Sequence, residues 1–388
     1  MRDKINFIAL GGGQRVGASC YYLRLGQSNL LLDCGVGSVG HFPFEPDFYP
    51  LLQSPFIQSL SQIDQIFISH AHADHVGGLP SMLARVGKEI PVCMTQMTAM
   101  LSQYQLYDKN FVGSLKADES ARLAVKNMLE HIVPVSYFQT MNFGTYKATF
   151  FPAGHIPGAM MTLLEYRGRN ILYTGDYSIT DTPLTTGCIL PEDLNVDTVI
   201  LCGLHAKHPN FHKKTYAMYQ TIQKIFQLLD EGKSVYCCTH QLSKGVEFLK
   251  ILNEKCQEFH REDPIFLEET VMNIVGKLEG LSIPIVTAHN YSIQNRRTGK
   301  PHIVLGGRSR SEIPRNYERI DADFSLHEDF AEMAQFLKKM NPKWAVIVHC
   351  GSEKEGESDE DTIEQYLMRD ADCRTQFLFA EEGEIYTL

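Results

Sequence analysis

No stretch of this 388-residue chain is apolar over anything near the ~20 residues that a bilayer-spanning helix needs, which argues against a membrane-spanning protein. The opening residues, MRDKINFIAL, lack the charged, apolar and small-residue order of a secretory signal, so a cytoplasmic protein is expected. Positive charge is also in short supply. With 36 Lys+Arg against 46 Asp+Glu the formal net charge is −10, which excludes a broadly basic nucleic-acid coat but leaves room for a local basic groove. Paired cysteine spacing is missing too. The ten cysteines are scattered from Cys20 to Cys373, and the vicinal Cys237 and Cys238 are awkward partners for a disulfide, so reduced thiols are expected. Neither an internal repeat nor a low-complexity tract is visible.

What remains is an ordinary folded composition, 44% hydrophobic and 21% charged, in a chain long enough for two domains or for one domain carrying an insertion. Short β-rich runs separated by glycine turns dominate the first half: Ile5–Leu10, Ala18–Leu25, Leu30–Cys34, Gln65–His70, Tyr146–Phe151 and the hairpin Met161–Glu165 to Asn170–Thr174. Helical patterns interleave at Ser81–Val86, Thr95–Tyr107 and Glu119–Ile132. Near residue 200 the character changes. Tyr216, Tyr219, Ile222, Phe226 and Leu229 recur at helical spacing and stop at Gly232, and strands then alternate with helices through Ile283–Ala288. Strands return at His302–Gly306, Trp344–Cys350, Phe377–Phe379 and Glu384–Thr387. The expected organisation is a core over 1–200, an inserted α/β unit over 201–300, and a returning part of the core over 301–388.

Histidine is the residue to follow, with 15 in the chain and four of them at 70, 72, 75 and 155. In Ile68-Ser69-His70-Ala71-His72-Ala73-Asp74-His75-Val76-Gly77-Gly78, three imidazoles and a carboxylate fall within six residues, with only alanine between them. Borderline divalent ions want imidazole nitrogen together with carboxylate oxygen, so this spacing points to a metal site. Further candidates stand where strands end: His155 after Ala148–Phe151, Asp176 in Tyr173-Thr174-Gly175-Asp176, and His349 closing Ala345–Val348. Asp33, after three leucines, reads as an acceptor that orients a ligand histidine.

These motifs resemble the metallo-β-lactamase superfamily, whose HxHxDH element is met by His70, His72, Asp74 and His75. Two more segments, Asp323-Phe324-Ser325-Leu326-His327-Glu328-Asp329 and Val346-Ile347-Val348-His349-Cys350-Gly351, are similar to the FSAH and VHG elements of its β-CASP branch of RNA-processing nucleases. The resemblance implies an α/β fold, a four-layer αββα sandwich with a small inserted β-CASP-like α/β cap. It implies two zinc ions, one held by His70, His72 and His155, the other by Asp74, His75 and His349, with Asp176 bridging. Mixed donors of this kind accept manganese or iron as well. Catalytic roles would fall on Asp74, Asp176 and His327, the last as a general acid with a pKa near neutrality at the leaving oxygen. One departure stands out: where the branch carries Glu or Asp at the end of the strand after Asp176, this chain has Cys202.

The function so implied is hydrolysis of a phosphodiester in RNA or single-stranded nucleic acid, through a water shared by the two ions. Arg296, Arg297, Arg308 and Arg310, flanking the strand His302–Gly306, are candidate phosphate contacts. A small-molecule hydrolase acting on a cyclic or oligonucleotide, a lactone or a thioester is the alternative, and a non-catalytic binding subunit a third. The oligomeric state, including a homo-oligomer, and any protein partner stay open. The cluster His205, Lys207, His208, His212, Lys213 and Lys214 reads as a loop before a helix, Gly11-Gly12-Gly13 as a weak phosphate-turn candidate, and Glu353–Asp361 as a solvated acidic loop.

Overall fold

The computed structural model describes residues 4–39, 42–86, 89–107, 119–209, 215–239, 242, 244–280, 289–290, 300–307, 312–322, 324–351 and 362–388. Two compact units emerge, one of residues 1–180, 186–212 and 327–388, the other of 181–185 and 213–326.

The first unit is built on two seven-stranded sheets. One runs in the order Tyr386–Thr387, Ile5–Gly11, Cys20–Leu25, Ser28–Leu32, Gln65–Phe67, Val92–Thr95, Ile132–Val135. The other runs Gln376–Phe379, Trp344–Val348, Thr198–Cys202, Arg169–Tyr173, Met160–Tyr166, Lys147–Pro152, Thr140–Asn142. Strand period two decides which side chains go where. Phe7, Ala9, Tyr21, Leu23, Leu30 and Leu32 pack with Phe150, Leu164, Tyr173, Ile200 and Val346 of the second sheet, forming a core shared by both. Their neighbours Ile8, Leu10, Tyr22 and Leu31 pack instead with Val76, Leu79, Met82, Val125 and Met128 from the helices Ala73–Val76, Leu79–Val86 and Glu119–Glu130. Each leucine, isoleucine, valine, phenylalanine or methionine among them contributes about 1.5–3 kcal/mol when fully buried. The helix Phe330–Met340 buries Phe330, Met333, Ala334, Phe336 and Leu337, and sets Phe336 tilted against Tyr177, which follows the second sheet's Arg169–Tyr173 strand. Helix, sheet, sheet, helix is the αββα layering of the metallo-β-lactamase fold.

The second unit has an all-parallel sheet, His289–Asn290, Ile265–Leu267, Ile303–Gly306, Ser234–Cys238, Tyr317–Asp321, with the helix Thr215–Asp230 ahead of its first strand in the chain and the helices Lys244–Glu258 and Glu269–Gly280 between strands. The returning part of the core therefore starts at 327, a correction to the 301 read from the sequence. Ile303–Gly306 pairs with Ser234–Cys238 and Ile265–Leu267, and a short apolar strand carries no mark of which sheet it will join. The strand read at Ile283–Ala288 and the acidic loop Glu353–Asp361 lie outside the described residues. Among the described residues no helix is long and apolar enough to cross a membrane, and no disulfide joins any of the ten cysteines.

Candidate metal centre

Strand ends of both sheets deliver the candidate ligands. After Gln65–Phe67 the chain stays extended through His72 (φ −66°, ψ 148°), which caps the one-turn helix Ala73–Val76 that carries Asp74 and His75. Extended backbone followed at once by a helical turn is what lets four ligand types within six residues converge. His155 follows Lys147–Pro152, and Asp176 and His349 follow the parallel strands Arg169–Tyr173 and Trp344–Val348, on either side of Thr198–Cys202. Gly154 (φ +78°) and Gly175 (φ +53°) make the turns just before His155 and Asp176. A Cβ at Gly175 would lie 2.4 Å from Ser69 Cβ, so only glycine fits.

Two groups result, each with its donor atoms within 4.8 Å of one another: His70, His72, His155 with Asp176, and Asp74, His75, His349. In the first, His72 Nδ1 lies 3.0 Å from His70 Nε2 and 3.2 Å from His155 Nε2, while Asp176 Oδ2 is 3.6 Å from His70 Nε2 and 3.8 Å from His155 Nε2. In the second, Asp74 Oδ2 is 4.0 Å from His75 Nε2 and 3.8 Å from His349 Nε2. Asp176 faces both, with Oδ1 3.3 Å from His75 Nε2.

Electrostatics favour a cation here. Burial, reinforced by the neighbouring His75, holds the His70 imidazole well below its ordinary pKa, and burial with His155 lowers His72 to about 3, so both rings offer lone pairs at neutral pH. Asp176 is ionised: burial works against its charge, but His75, His349 and His327 outweigh it and lower its pKa well below the usual range. Its Oδ1 is buried and makes no hydrogen bond. The neutral imidazoles of His70 and His72 beside a buried carboxylate with an unsatisfied oxygen fit a divalent metal ion.

Supporting residues fix the ligand rings. Asp33 adopts φ +60°, unusual for a non-glycine residue, and that turn aims its carboxylate inward. Its Oδ1 accepts the Ser69 N–H at 2.6 Å, and its Oδ2 faces Ser69 Oγ at 2.7 Å, the Tyr173 hydroxyl at 2.5 Å and His75 Nδ1 at 2.7 Å. Fixing Nδ1 leaves His75 Nε2 to face Asp176 and Asp74. Burial lowers the His75 pKa, but Asp176, Asp33 and Asp74 together win and raise it well above normal. On the other side Ser19 Oγ meets His349 Nδ1 at 2.9 Å. His349 itself sits at φ +51°, its N–H donating to Gly12 C=O at 2.6 Å and that of Cys350 to Gly13 C=O at 3.1 Å. The glycine turn that resembled a phosphate loop thus offers carbonyls to the His349 segment. Ser19, Ser69 and Tyr173 carried no signal of this role in the sequence, because the His349 and Asp33 they bond lie far away along the chain.

His327 also reaches this centre. Its Nδ1 is 3.7 Å from Asp176 Oδ2, and its ring centroid lies 4.6 Å from that of His155. Burial lowers its pKa well below 6.5 despite Asp176, a correction to the near-neutral value expected of it. Cys202, 2% exposed, presents its thiol within 4.8 Å of donor atoms on both Asp176 and His327. Burial, Asp176 and the fully buried Glu328 push its pKa well up, so the thiol is protonated. The candidate phosphate contacts Arg296, Arg297, Arg308 and Arg310 lie outside the described residues, as do His212, Lys213 and Lys214. His205 and His208 have ring centroids 6.5 Å apart and join none of the clustered ligand groups.

A family model described as "Anti-Pycsar protein Apyc1" matches residues 15–187, which include Asp33, the 70–75 cluster, His155 and Asp176. A protein described as "Probable RNase MJ4" from Methanocaldococcus jannaschii is 26% identical over 89% of this chain and 93% of its own length. "Endoribonuclease YSH1" of Gibberella zeae is 28% identical over 65% of this chain, and "Cleavage and polyadenylation specificity factor subunit 3" of Dictyostelium discoideum 27% over 89%. The matches span only 30% and 53% of those two relatives' lengths. A solved protein of unknown function from Enterococcus faecalis V583 shares the fold, with a TM-score of 0.63 and 12% identity over 99% of this chain and 100% of its own.

Proposed function

Since this chain is a homologue of the β-CASP endoribonucleases of the metallo-β-lactamase superfamily, we propose that it is a dinuclear-zinc phosphodiester hydrolase acting on RNA. The observation that carries the reading is the Asp176 carboxylate, with one oxygen toward His70 and His155 and the other toward His75. In this reading His70, His72 and His155 hold one ion, Asp74, His75 and His349 the other, and Asp176 joins them. Two divalent ions in such a site supply Lewis acidity toward a phosphoryl oxygen and bring the pKa of water toward neutrality.

The chain's own residues do the rest. Asp33 keeps His75 Nδ1 engaged, and Ser19 does the same for His349. His327 enters as a neutral imidazole. It can hand a proton to the departing oxygen only after taking one from the attacking water, with Asp176 beside its Nδ1 steadying the charged ring between the two transfers. Burial of His70, His75, His155 and Asp176 strengthens every charge interaction at the centre by excluding water.

Hydrolysis of a small phosphodiester is a second reading. It is favoured by the match of residues 15–187 to a family whose name is not that of a nuclease, and by Cys202 in place of an acid. The zinc-replete protein is incubated with labelled single-stranded RNA and, separately, with a cyclic nucleotide. RNA cleavage that is lost with chelator and in Asp74→Ala is the expected result. Intact RNA with turnover of the cyclic nucleotide selects the second reading, and zinc content that is unchanged in Asp74→Ala and His155→Ala removes the ligand assignment.

A further inference from the structure

We infer that Asp176, Cys202 and His327 form a third cation position, selective for thiophilic divalent ions and inhibitory when filled. It rests on the reading above only in that Asp176 is shared. The three donor atoms lie within 4.8 Å of one another, with Asp176 and Cys202 buried and His327 at the half-buried edge. Cys202 is pinned at the end of its strand. Its own N–H donates to Thr174 Oγ1 at 3.1 Å, and that of Gly203 to Val348 C=O at 2.7 Å, so the thiol is fixed among strands that lead to Asp176 and His349. His327 is held by the turn before the Phe330–Met340 helix, whose cap, Asp329, accepts the Glu332 N–H at 2.9 Å.

Sulfur, nitrogen and oxygen at this spacing suit an ion softer than zinc, such as cadmium, with a coordination position left over. Magnesium and manganese gain little from sulfur. An ion binds this sulfur as thiolate, so the S–H bond breaks, a sulfur–metal bond forms, and the proton leaves to solvent. That requirement selects thiophilic ions. A filled site immobilises the His327 ring through Nδ1 and competes for Asp176 Oδ2, which the His70–His72–His155 ion also needs. A Glu or Asp at 202 would offer no sulfur, so this property belongs to the departure at that position.

The protein, first equilibrated with zinc and with bound equivalents counted, is titrated with cadmium while thiolate-to-cadmium charge-transfer absorption is followed. One further equivalent is expected, accompanied by the band. The band should vanish in Cys202→Ser and need at least tenfold more cadmium in His327→Ala, in which Cys202 is untouched. A band of undiminished intensity in Cys202→Ser, or one whose cadmium dependence is unchanged in His327→Ala, overturns the site. A native protein that holds fewer than two zinc ions yet shows the Cys202- and His327-dependent band upholds the site and sinks the dinuclear reading instead. Two zinc ions without any band do the reverse.

Discussion

Replacing Asp33 by asparagine removes one charge and changes one oxygen into an NH2 group, while keeping a residue type that tolerates the left-handed backbone at φ +60°. The carboxylate now faces four donors or donor-competent atoms, one at Oδ1 and three at Oδ2. The better amide orientation keeps oxygen toward Ser69 Oγ, Tyr173 and His75 and turns NH2 against the Ser69 N–H. One buried donor is left unsatisfied at about 1–3 kcal/mol, and exchanging charged for neutral acceptance at three others brings the total to roughly 2–4 kcal/mol. Because His75 loses the anion behind its ring, affinity at the Asp74–His75–His349 group should fall about 10–100-fold, or roughly 1.4–2.7 kcal/mol. The assays are zinc competition against a chromophoric chelator and urea unfolding of the metal-free chain. A variant that keeps native zinc affinity and a native unfolding midpoint would show that Asp33 supports neither ring nor fold, and the reasoning from its bonds would be wrong.

His327→Ala should lower RNA turnover about 10²–10⁴-fold with two zinc equivalents retained; loss of metal along with activity would assign His327 a ligand role instead. Gly175→Ala forces a Cβ to within 2.4 Å of Ser69 in a left-handed turn, and a loss of about 2–4 kcal/mol in denaturant unfolding is expected; a native midpoint would mean that the Ser69 loop yields freely. Chelation should lower the thermal midpoint, since zinc at about 1,000 times its dissociation constant adds roughly 4 kcal/mol to the folded state, and overlapping melts with and without chelator would argue against bound metal. Burial works to raise the Asp197 pKa, but the Lys343 ammonium at 2.7 Å and the Asn170 N–H lower it overall. Stability from that pair is therefore present above the ordinary carboxylate pKa and lost as pH falls through the depressed folded value; Lys343→Met should flatten that acid-side loss, and an unchanged acid transition would count against the pair.

How much of this was legible in the sequence follows from distance along the chain. His70, His72, Asp74 and His75 announce themselves because a strand end and one helical turn bring them together without help. His155, Asp176 and His349 could be named only because each ends an apolar strand run, and the family resemblance supplied their grouping. The returning boundary was misread because Ile303–Gly306 is apolar enough to serve in either sheet, and the choice lies with partners nearly 70 residues upstream. Likewise, the low pKa of His327 comes from burial that no local pattern encodes.

The bond from the His349 N–H to Gly12 C=O has a consequence for assembly on the ribosome. At about 5–20 residues per second, position 349 is synthesised roughly 14–55 s after position 75. For the last roughly 9–35 s of that interval, once Asp176 has been made, the chain holds His70, His72, His155 and Asp176 but lacks the last member of the second group. Closing the centre means bringing residue 349 to residue 12, a contact of very high sequence separation that folding reaches late. The Asp74–His75–His349 group therefore stays incomplete on a nascent chain until residue 349 has left the ribosome and reached the Gly12 turn.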